Sequence, residues 1–299
     1  MAVYRKSYTR YDGRLTPGWA RFLVITRYAG EDVGRSRFLN FFFASSFLTP
    51  LIYAIIIYLH HNLSAIELIK IDVSKLVPID ARFFLFYLGF QSMLAFFLNA
   101  FIGPGMVSPD LANNALPLYL CRPLTRKEYV FGKLTLLVGL LSAMTWIPGV
   151  MLFGLQAYLD GGTWGSDNLR ILWGLFFGSM IWILLNALMA LALSAWVKWK
   201  PVAAGLLFGA FFVLSGIGAA INEVMRTKWG HLLNISHLMG SVWISLFEEP
   251  MRRGAGAVFF RVARGEEIPI WCCWTSLTLM CLICVHMLAR KIRGMEVVR

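Results

Sequence analysis

Residues 169–197 read LRILWGLFFGSMIWILLNALMALALSAWV and carry one charged side chain, Arg170, near their start. An apolar run of this length exceeds the roughly 20 residues that an α-helix needs to cross about 30 Å of hydrocarbon. It therefore predicts a membrane-spanning helix. The whole chain has the same character, since 58% of its 299 residues are apolar and its mean hydropathy is +0.65, higher than in soluble domains.

Five further apolar runs of similar length lie along the chain, separated by polar or basic connections. Continuous runs exclude an outer-membrane β-barrel, whose strands alternate apolar and polar residues. We therefore predict an all-α integral membrane protein with about six transmembrane helices in a domain at residues 38–289. The predicted spans are residues 38–59, 82–102, 129–158, 169–197, 202–221 and 268–289.

Proline and glycine indicate where these helices bend or stop. Pro50 and Pro148 lie inside the first and third spans, and a proline inside a helix predicts a kink because it has no N–H to donate. Residues 103–105, Gly-Pro-Gly, predict the end of the second span. The pairs Gly174-x3-Gly178 and Gly205-x3-Gly209 permit close approach of neighbouring helices.

The charges indicate a membrane topology. Lys and Arg number 28 against 16 Asp and Glu, a net charge of +12, but they flank the apolar runs instead of forming the single basic face of a nucleic-acid-binding protein. Their distribution places the N-terminal segment 1–37 in the cytoplasm. With six spans the tail at residues 290–299 is cytoplasmic as well.

An amphipathic helix at residues 17–35 is predicted to lie on the membrane before the first span. At 100° per residue its charged and apolar side chains separate onto opposite arcs. The charged arc holds Arg21, Arg27, Glu31, Asp32 and Arg35, and the apolar arc holds Trp19, Phe22, Leu23 and Val33.

The region at residues 223–267 leaves one topological question open. Its segment 230–247, GHLLNISHLMGSVWISLF, is apolar but only marginally long enough to cross. Cation counts do not decide the matter, because a crossing only exchanges the sides of Arg252, Arg253, Arg261 and Arg264 with those of the C-terminal cations. Its length and its embedded polar groups favour a re-entrant or interfacial pair of helices on the outer side over a seventh span.

The spans contain few polar groups near their centres, and none of them is charged. Gln91, Asn99 and Asn186 are the polar exceptions, for which we predict interhelical hydrogen bonds. The lack of central charges argues against a channel or a proton-coupled carrier. No pattern predicts a metal site, a disulfide framework or a catalytic group; the five cysteines are Cys121, Cys272, Cys273, Cys281 and Cys284.

The segment between the second and third spans has the most distinctive pattern. Ser108 followed by Pro109 predicts a helix start, with the hydroxyl as N-cap and Asp110 at the positive end of the helix dipole. A helix at 108–122 would then carry several apolar side chains and end in cations. This pattern is typical of a surface that docks a cytosolic partner, and the alternative is a helix packed against lipid headgroups.

The run SPDLANNALPLYLCRPLTRKEYVFGK, residues 108–133, resembles the same segment of ABC type-2 transporter permeases, in particular the bacterial group of multicopper-enzyme maturation permease components. The resemblance is strong over residues 105–135 and general elsewhere. It implies a coupling helix that docks on an ATPase subunit. The matching residues are Asp110, Asn113, Asn114, Leu116, Pro117, Tyr119, Arg122, Pro123, Arg126, Tyr129, Gly132 and Lys133.

The resemblance also implies individual roles. Arg122 and Arg126 would meet acidic or carbonyl groups of the ATPase, with Lys127 beside them, and Tyr119 would fill its cleft. Tyr129, Gly132 and Lys133 would form the inner end of the third span, which Lys133 would anchor. The expected location is the inner membrane of a bacterium.

ATP would be bound by another polypeptide. The chain contains no G-x4-G-K-[ST] phosphate loop, so we expect it to bind no cofactor and to catalyse no reaction, with ATP and Mg held by two copies of a cassette ATPase. Six spans are half of the usual transporter, so a second copy or a close paralogue would complete it, surrounded by membrane lipid. Export of a lipid-like or amphipathic substrate is the expected function.

Other functions stay open on the sequence alone. An ATP-coupled scaffold that transmits movement to an envelope or metalloenzyme maturation system would share the docking helix. An intramembrane enzyme is disfavoured because no H-E-x-x-H, Ser/His or paired-Asp arrangement occurs in the spans. A channel or a nonspecific bundle would need no ATPase.

The question of a seventh crossing has a direct test. We expect Arg253→Cys, in an otherwise cysteine-free protein, to react with a membrane-impermeant maleimide added from outside intact cells, because six spans leave this residue on the outer side. Lys198→Cys, in the predicted cytoplasmic connection, is the matched control and should react only after permeabilisation. Protection of both positions would require the extra crossing.

Overall fold

The computed structural model describes residues 17–62, 78–113, 115, 124–247 and 268–292, and every regular element among them is a helix. Short 3₁₀ helices occupy Gly18–Ala20 and Trp229–Leu233. The α-helices are α1 (Arg21–Gly34), α2 (Arg37–Ser45), α3 (Leu48–His61), α4 (Ala81–Ile102), α5 (Pro104–Ala112), α6 (Arg126–Met144), α7 (Trp146–Asp160), α8 (Trp164–Asp167), α9 (Leu169–Trp196), α10 (Lys200–Met225), α11 (Ile235–Phe247) and α12 (Ile270–Lys291).

Six stretches of the described residues are long and apolar enough to cross a membrane. Three combine consecutive helices, α2 with α3, α4 with α5, and α6 with α7, whereas α9, α10 and α12 each form one alone. The predicted all-α architecture with six candidate spans is therefore confirmed for this part of the chain. The stretches are Arg37–His61, Ala81–Ala112, Arg126–Asp160, Leu169–Trp196, Lys200–Met225 and Ile270–Lys291.

The second candidate span extends past the predicted end of its helix because a second helix follows directly. Gly103 keeps helical backbone angles (φ −57°, ψ −47°), and Pro104 opens α5 at the first helical position, where its missing N–H sacrifices no hydrogen bond. Helix α4 therefore ends at Ile102, as predicted, but α5 follows it directly and extends the candidate span to Ala112. Glycine is needed here because a Cβ on Gly103 would lie 2.5 Å from the Cβ of Ala190 in α9.

Helices α4, α6 and α9 form the centre of the bundle, and α3, α10 and α12 lie around it. The outer helices expose large apolar side chains such as Ile55, Phe212 and Leu282. Such a surface suits hydrocarbon, in which helices bury their polar backbone and show apolar side chains. The largest fully buried side chains of the central helices include Phe84, Tyr87, Leu88, Leu98, Leu137, Leu141, Met144, Leu175, Ile183 and Leu185.

Two spans are interrupted next to prolines, as predicted. The first is interrupted at Ser46–Phe47, between α2 and α3, and the third at Thr145, whose backbone angles (φ −102°, ψ −86°) are not helical. In a continuous helix the N–H of residue 50 would bond to the carbonyl of Ser46, and that of residue 148 to the carbonyl of Met144. Because proline has no N–H, neither carbonyl receives this hydrogen bond.

The fully buried side chain of Gln91 on α4 supplies the missing donors. Its Nε2 lies 3.2 Å from the carbonyl oxygen of Ser46 and 2.7 Å from that of Met144. One turn earlier on α4, the Tyr87 hydroxyl donates to the carbonyl of Thr145 at 2.9 Å. Hydrocarbon offers no water to these carbonyls, so side chains of α4 stabilise both interruptions.

Hydrogen bonds also join α4 to α9. The Asn99 amide donates to the backbone carbonyl of Asn186 at 3.0 Å, and the Trp182 indole donates to the carbonyl of Ser92 at 3.1 Å. The predicted interhelical bonds are therefore confirmed for Gln91 and Asn99. Asn186 differs, since its side-chain amide donates within α9, to the carbonyl of Trp182 at 2.9 Å.

The chain turns back after α10. Arg226 adopts a left-handed conformation (φ 50°), and the 3₁₀ helix that follows packs so closely on α10 that a Cβ on Gly218 would lie 2.3 Å from the carbonyl of Gly230. Helix α11 has 13 residues and is about 20 Å long, too short to cross. Its last turn accepts hydrogen bonds from Arg170 at the start of α9, at the carbonyls of Leu246 and Ser245. The chain from Arg226 to Phe247 thus begins and ends at the same end of the bundle.

Helix α11 packs against the first of the two Gly-x3-Gly pairs. A Cβ on Gly174 would lie 2.9 Å from the Phe247 ring, and a Cβ on Gly178 would lie 2.9 Å from the Trp243 ring. The Trp243 indole also donates to the carbonyl of Gly178 at 3.0 Å. The second pair is different, because a Cβ on Gly205 would meet no atom within 4 Å.

Connections rich in cations meet at one end of the bundle, which we call the basic end. The Ser108 hydroxyl contacts the carbonyl of Val197 at 2.7 Å, and the Trp196 indole donates to the carbonyl of Met287 at 3.2 Å. Lys291 Nζ lies 5.4 Å from the Trp196 ring centroid. The connections after the second and fourth spans and the end of the sixth therefore lie together, as the predicted alternation of spans requires.

Gln91→Leu tests whether the two interruptions depend on α4. We expect it to lower the free energy of unfolding by about 1–3 kcal/mol, because the carbonyls of Ser46 and Met144 lose a donor in a buried setting. Reversible unfolding of the purified protein in mixed micelles measures this.

Restoring a backbone donor provides the control. Pro148→Ala supplies an N–H one turn after Met144, so it should recover part of the stability lost in Gln91→Leu. The same substitution in the unmutated protein should recover nothing, since Gln91 already donates there. Equal effects in both backgrounds would contradict this explanation.

Candidate functional site

Helix α5 is fixed to α9 at the basic end by two buried serines. The Ser194 hydroxyl accepts the N–H groups of Val107 and Ser108, at 3.1 and 2.9 Å, and donates to the carbonyl of Pro104 at 2.8 Å. The Ser108 hydroxyl in turn contacts the carbonyls of Ser194 and Val197 at 2.9 and 2.7 Å.

These contacts correct the predicted helix start. Ser108 is an interior residue of α5 whose side chain bonds to another helix, so the N-cap prediction was wrong. Of the helix predicted at 108–122, residues 108–112 belong to α5, which begins at Pro104 and ends at Ala112. Residues 114 and 116–122 lie outside the described residues. The helix begins earlier than predicted because Pro104 starts it directly after α4.

Asp110, near the end of α5, contacts two residues of α6. Its Oδ2 accepts a hydrogen bond from the Tyr129 hydroxyl at 2.5 Å and lies 3.3 Å from Lys133 Nζ. Tyr129 and Lys133 are four residues apart and so share one face of α6, with Nζ 5.7 Å from the tyrosine ring centroid. We call Asp110, Tyr129 and Lys133 the clasp.

The clasp is sheltered from solvent. Tyr129 is 1% exposed, and the side chains of Lys133 and Asp110 are 11% and 17% exposed. Opposite charges in such surroundings attract more strongly than opposite charges at the surface. Removing one of them leaves the other uncompensated, which lowers the stability of the protein. Removing one partner of a buried pair costs about 3–5 kcal/mol, and this partly sheltered pair should lie toward the lower end.

Helix α6 starts with a capping box. The Thr125 hydroxyl accepts the N–H of Glu128 at 3.3 Å, and the Glu128 carboxylate accepts the N–H of Thr125 at 2.6 Å. This reciprocal pair satisfies orphan donors and fixes the first turn. Arg126 and Lys127 in that turn are exposed. Both cations therefore face outward where the chain enters α6.

Helix α1 packs on α6 through Gly132. A Cβ on Gly132 would lie 2.7 Å from the carbonyl of Phe22 and 2.9 Å from the Cβ of Ile25, so only glycine permits this approach. The Thr26 hydroxyl donates to the carbonyl of Gly132 at 2.9 Å. The helix predicted at residues 17–35 is therefore present, with Ile25 and Ala29 buried and its charged residues largely exposed.

The structure describes seven of the predicted site residues. Asp110, Tyr129 and Lys133 are brought together, Gly132 contacts α1, and the remaining three are exposed around the ends of α5 and α6: Asn113, Arg126 and Lys127. The other predictions lie outside the described residues: Asn114, Leu116, Pro117, Tyr119, Arg122 and Pro123.

Sequence reasoning missed three features of the site. The capping box was visible as Thr125-x-x-Glu128 just before an apolar run. The Ser194 contacts had no local signal, because Ser108 lies 86 residues away along the chain. The clasp was equally hidden, since nothing in the sequence pairs Asp110 with a particular cation across the loop.

The described residues on either side of the segment 113–125 are fixed to each other and to the bundle. Exposed cations stand on one side of it, at Arg126 and Lys127 in the first turn of α6. Within the described ranges, no cluster of three or more His, Cys, Asp or Glu is placed to hold a metal ion. No protein-family model matches this chain, and no curated protein is significantly similar to it.

Gly132→Ala tests the contact between α1 and α6. We expect it to lower the free energy of unfolding by about 1–3 kcal/mol, the usual cost of forcing extra atoms into a packed interface. Gly139→Ala on the same helix is the matched control, because a Cβ there would meet no atom within 4 Å. The control should be neutral or stabilise by up to about 1 kcal/mol through helix propensity. Similar losses in both variants would argue against a specific contact at Gly132.

Proposed function

We propose that this chain is the membrane permease subunit of an ABC type-2 transporter, driven by a separate cassette ATPase. The segment between the second and third spans docks the ATPase on the cytoplasmic side. ATP and Mg are held by two ATPase copies, and a second copy of this chain or a close paralogue completes the transporter in a bacterial inner membrane. The exported substrate is lipid-like or amphipathic.

The observation that carries the proposal is the geometry of the segment's two ends. The clasp joins α5, which precedes residues 113–125, to α6, which follows them, and the exposed Arg126 and Lys127 stand in the first turn of α6. A segment with fixed ends suits a docking element, because pre-ordered ends reduce the entropy lost on binding. The resemblance of residues 105–135 to coupling segments supports the same function.

The overall architecture fits this function as well. With six candidate spans both termini lie on one side of the membrane. In the proposed orientation this side is the cytoplasm, and the basic end then faces the ATPase. The short α11 and the 3₁₀ helix before it begin and end at the opposite end of the bundle, which suits a re-entrant region on the outer side. The exposed apolar faces of α3, α10 and α12 leave room for lipid and a second copy.

One observation favours the alternative of an ATP-coupled scaffold that passes no substrate. The centre of the bundle is filled by large side chains such as Phe84, Leu141 and Ile183, each at most 2% exposed. A single subunit therefore has a closed core, which suits transmission of movement to a maturation system. For the permease, the substrate path would have to lie between two copies.

Charge reversal in the docking segment tests the proposal. Arg122→Glu with Arg126→Glu should reduce co-purification of the ATPase at least tenfold in mild detergent, because acidic or carbonyl groups of the partner would now be repelled. The bundle should still insert and migrate as a single species. Recovery of the ATPase is measured as its molar ratio to this subunit.

A matched variant separates docking from net charge. Lys198→Glu with Arg290→Glu reverses two exposed cations elsewhere on the predicted cytoplasmic side, and it should leave the ATPase bound. If the unmutated, well-folded protein co-purifies with no ATPase, the proposal is refuted. The remaining alternatives are then a channel and a nonspecific helical bundle. If both variants lose the ATPase, binding depends on the net charge of the cytoplasmic side and not on the docking segment.

A further inference from the structure

Asp110 is one of the residues that the sequence resemblance places on the docking surface, and its carboxylate is already engaged in the clasp. One oxygen of Asp110 receives both the Tyr129 hydroxyl and the Lys133 ammonium, at 2.5 and 3.3 Å. Both partners belong to α6 of the same chain, and the carboxylate is mostly sheltered. For Asp110 to contact an ATPase, it would have to give up its hydrogen bond with a buried tyrosine and its ion pair with a sheltered lysine.

The position of the clasp gives it a second property. Asp110 lies in the last turn of α5 and Tyr129 in the first turn of α6, so the contact bridges the two ends of the docking segment. The segment's exit from α5 is fixed by hydrogen bonds from the N–H groups of Asn113 and Ala115 to the carbonyls of Pro109 and Asp110, at 3.0 and 2.8 Å. Its entry into α6 is fixed by the capping box at Thr125.

The contacts behind the clasp extend this rigid connection into the bundle. Helix α5 is bonded to α9 through Ser108 and Ser194, and α6 is packed on α1 through Gly132. Both α5 and α6 also pack on α4 and α9, and the clasp adds a direct polar contact between α5 and α6 themselves. With the clasp, movement of the segment displaces both helices together.

We infer that Asp110 is a positioning residue, which holds the two ends of the docking segment at a fixed separation through Tyr129 and Lys133, and is not itself a contact to the ATPase. The inference rests on the proposed function for what the segment binds. The geometry of the clasp stands independently of it. Docking is then carried by exposed cations, and the partner surface they fit is acidic.

Distance measurement tests positioning without any partner. Spin labels on Ala112→Cys and Lys127→Cys, both exposed positions, would report the separation of the two ends in the purified full-length protein, with native cysteines replaced. We expect a narrow distance distribution in the clasped protein. Asp110→Asn, which removes the ion pair, and Tyr129→Phe, which removes one hydroxyl, should both broaden it.

Two further variants make the result specific. The exchange Asp110→Lys with Lys133→Asp restores opposite charges and should narrow the distribution again. Asp32→Asn removes an exposed carboxylate of α1 and should leave it unchanged. If Tyr129→Phe and Asp110→Asn both give the unmutated distribution, the positioning role is overturned; Tyr129→Phe is mild enough to report even if Asp110→Asn folds poorly.

ATPase binding and stimulation give the second readout. Asp110→Asn should keep the bound ATPase within about twofold of the unmutated protein, while the ATP hydrolysis that the permease stimulates falls about fivefold or more. A tenfold loss of bound ATPase in Asp110→Asn, with an unchanged distance distribution, would instead make Asp110 a docking contact. If the unmutated protein binds no ATPase, the proposed function fails, and the distance measurement still decides whether the clasp positions the segment.

Discussion

The fold depends on one constraint, that carbonyls left without donors inside a membrane must find them within the protein. Pro50 and Pro148 each remove a donor, and the Gln91 amide on α4 serves the carbonyls of Ser46 and Met144 together. The first and third spans are thereby bent around the second. Beyond the bends, α3 and α7 pack against each other as far as His61 and Asp160, whose Nε2 and Oδ1 lie 3.8 Å apart.

Several polar side chains of the bundle form hydrogen bonds between helices. Asn99, Trp182 and Trp243 each donate to a backbone carbonyl of a neighbouring helix. The Ser194 hydroxyl accepts two backbone N–H groups of α5 and donates to one of its carbonyls. The donors of these side chains therefore hold neighbouring helices together.

The spans and bends were predictable because they depend on local properties, the length of an apolar run and the presence of proline. Features that depend on distant partners were not. Ser108-Pro109 fits a helix start and a helix interior equally well, and the choice is made by Ser194, which no local pattern connects to it. Of the predicted site, the residue types at Asp110, Tyr129 and Lys133 were identified, but their mutual contact was not, because Asp110 and Tyr129 lie 19 positions apart in the sequence. Gly132 likewise acquires its role only when Phe22 and Ile25 are packed against it.

The contacts at the basic end determine how movement would pass through the proposed permease. Asp110 joins α5 to α6, the serine pair joins α5 to α9, and the Asn99 and Trp182 bonds join α4 to α9. A partner that displaces residues 113–125 would therefore move the second, third and fourth spans as one body. Helices α3, α10 and α12 are mostly exposed on their outer faces, and α10 turns an open glycine outward at Gly205. Helix α12 is joined to α9 by the Trp196 indole and belongs with this central body. Relative motion is then expected at α10, which buries few of its side chains.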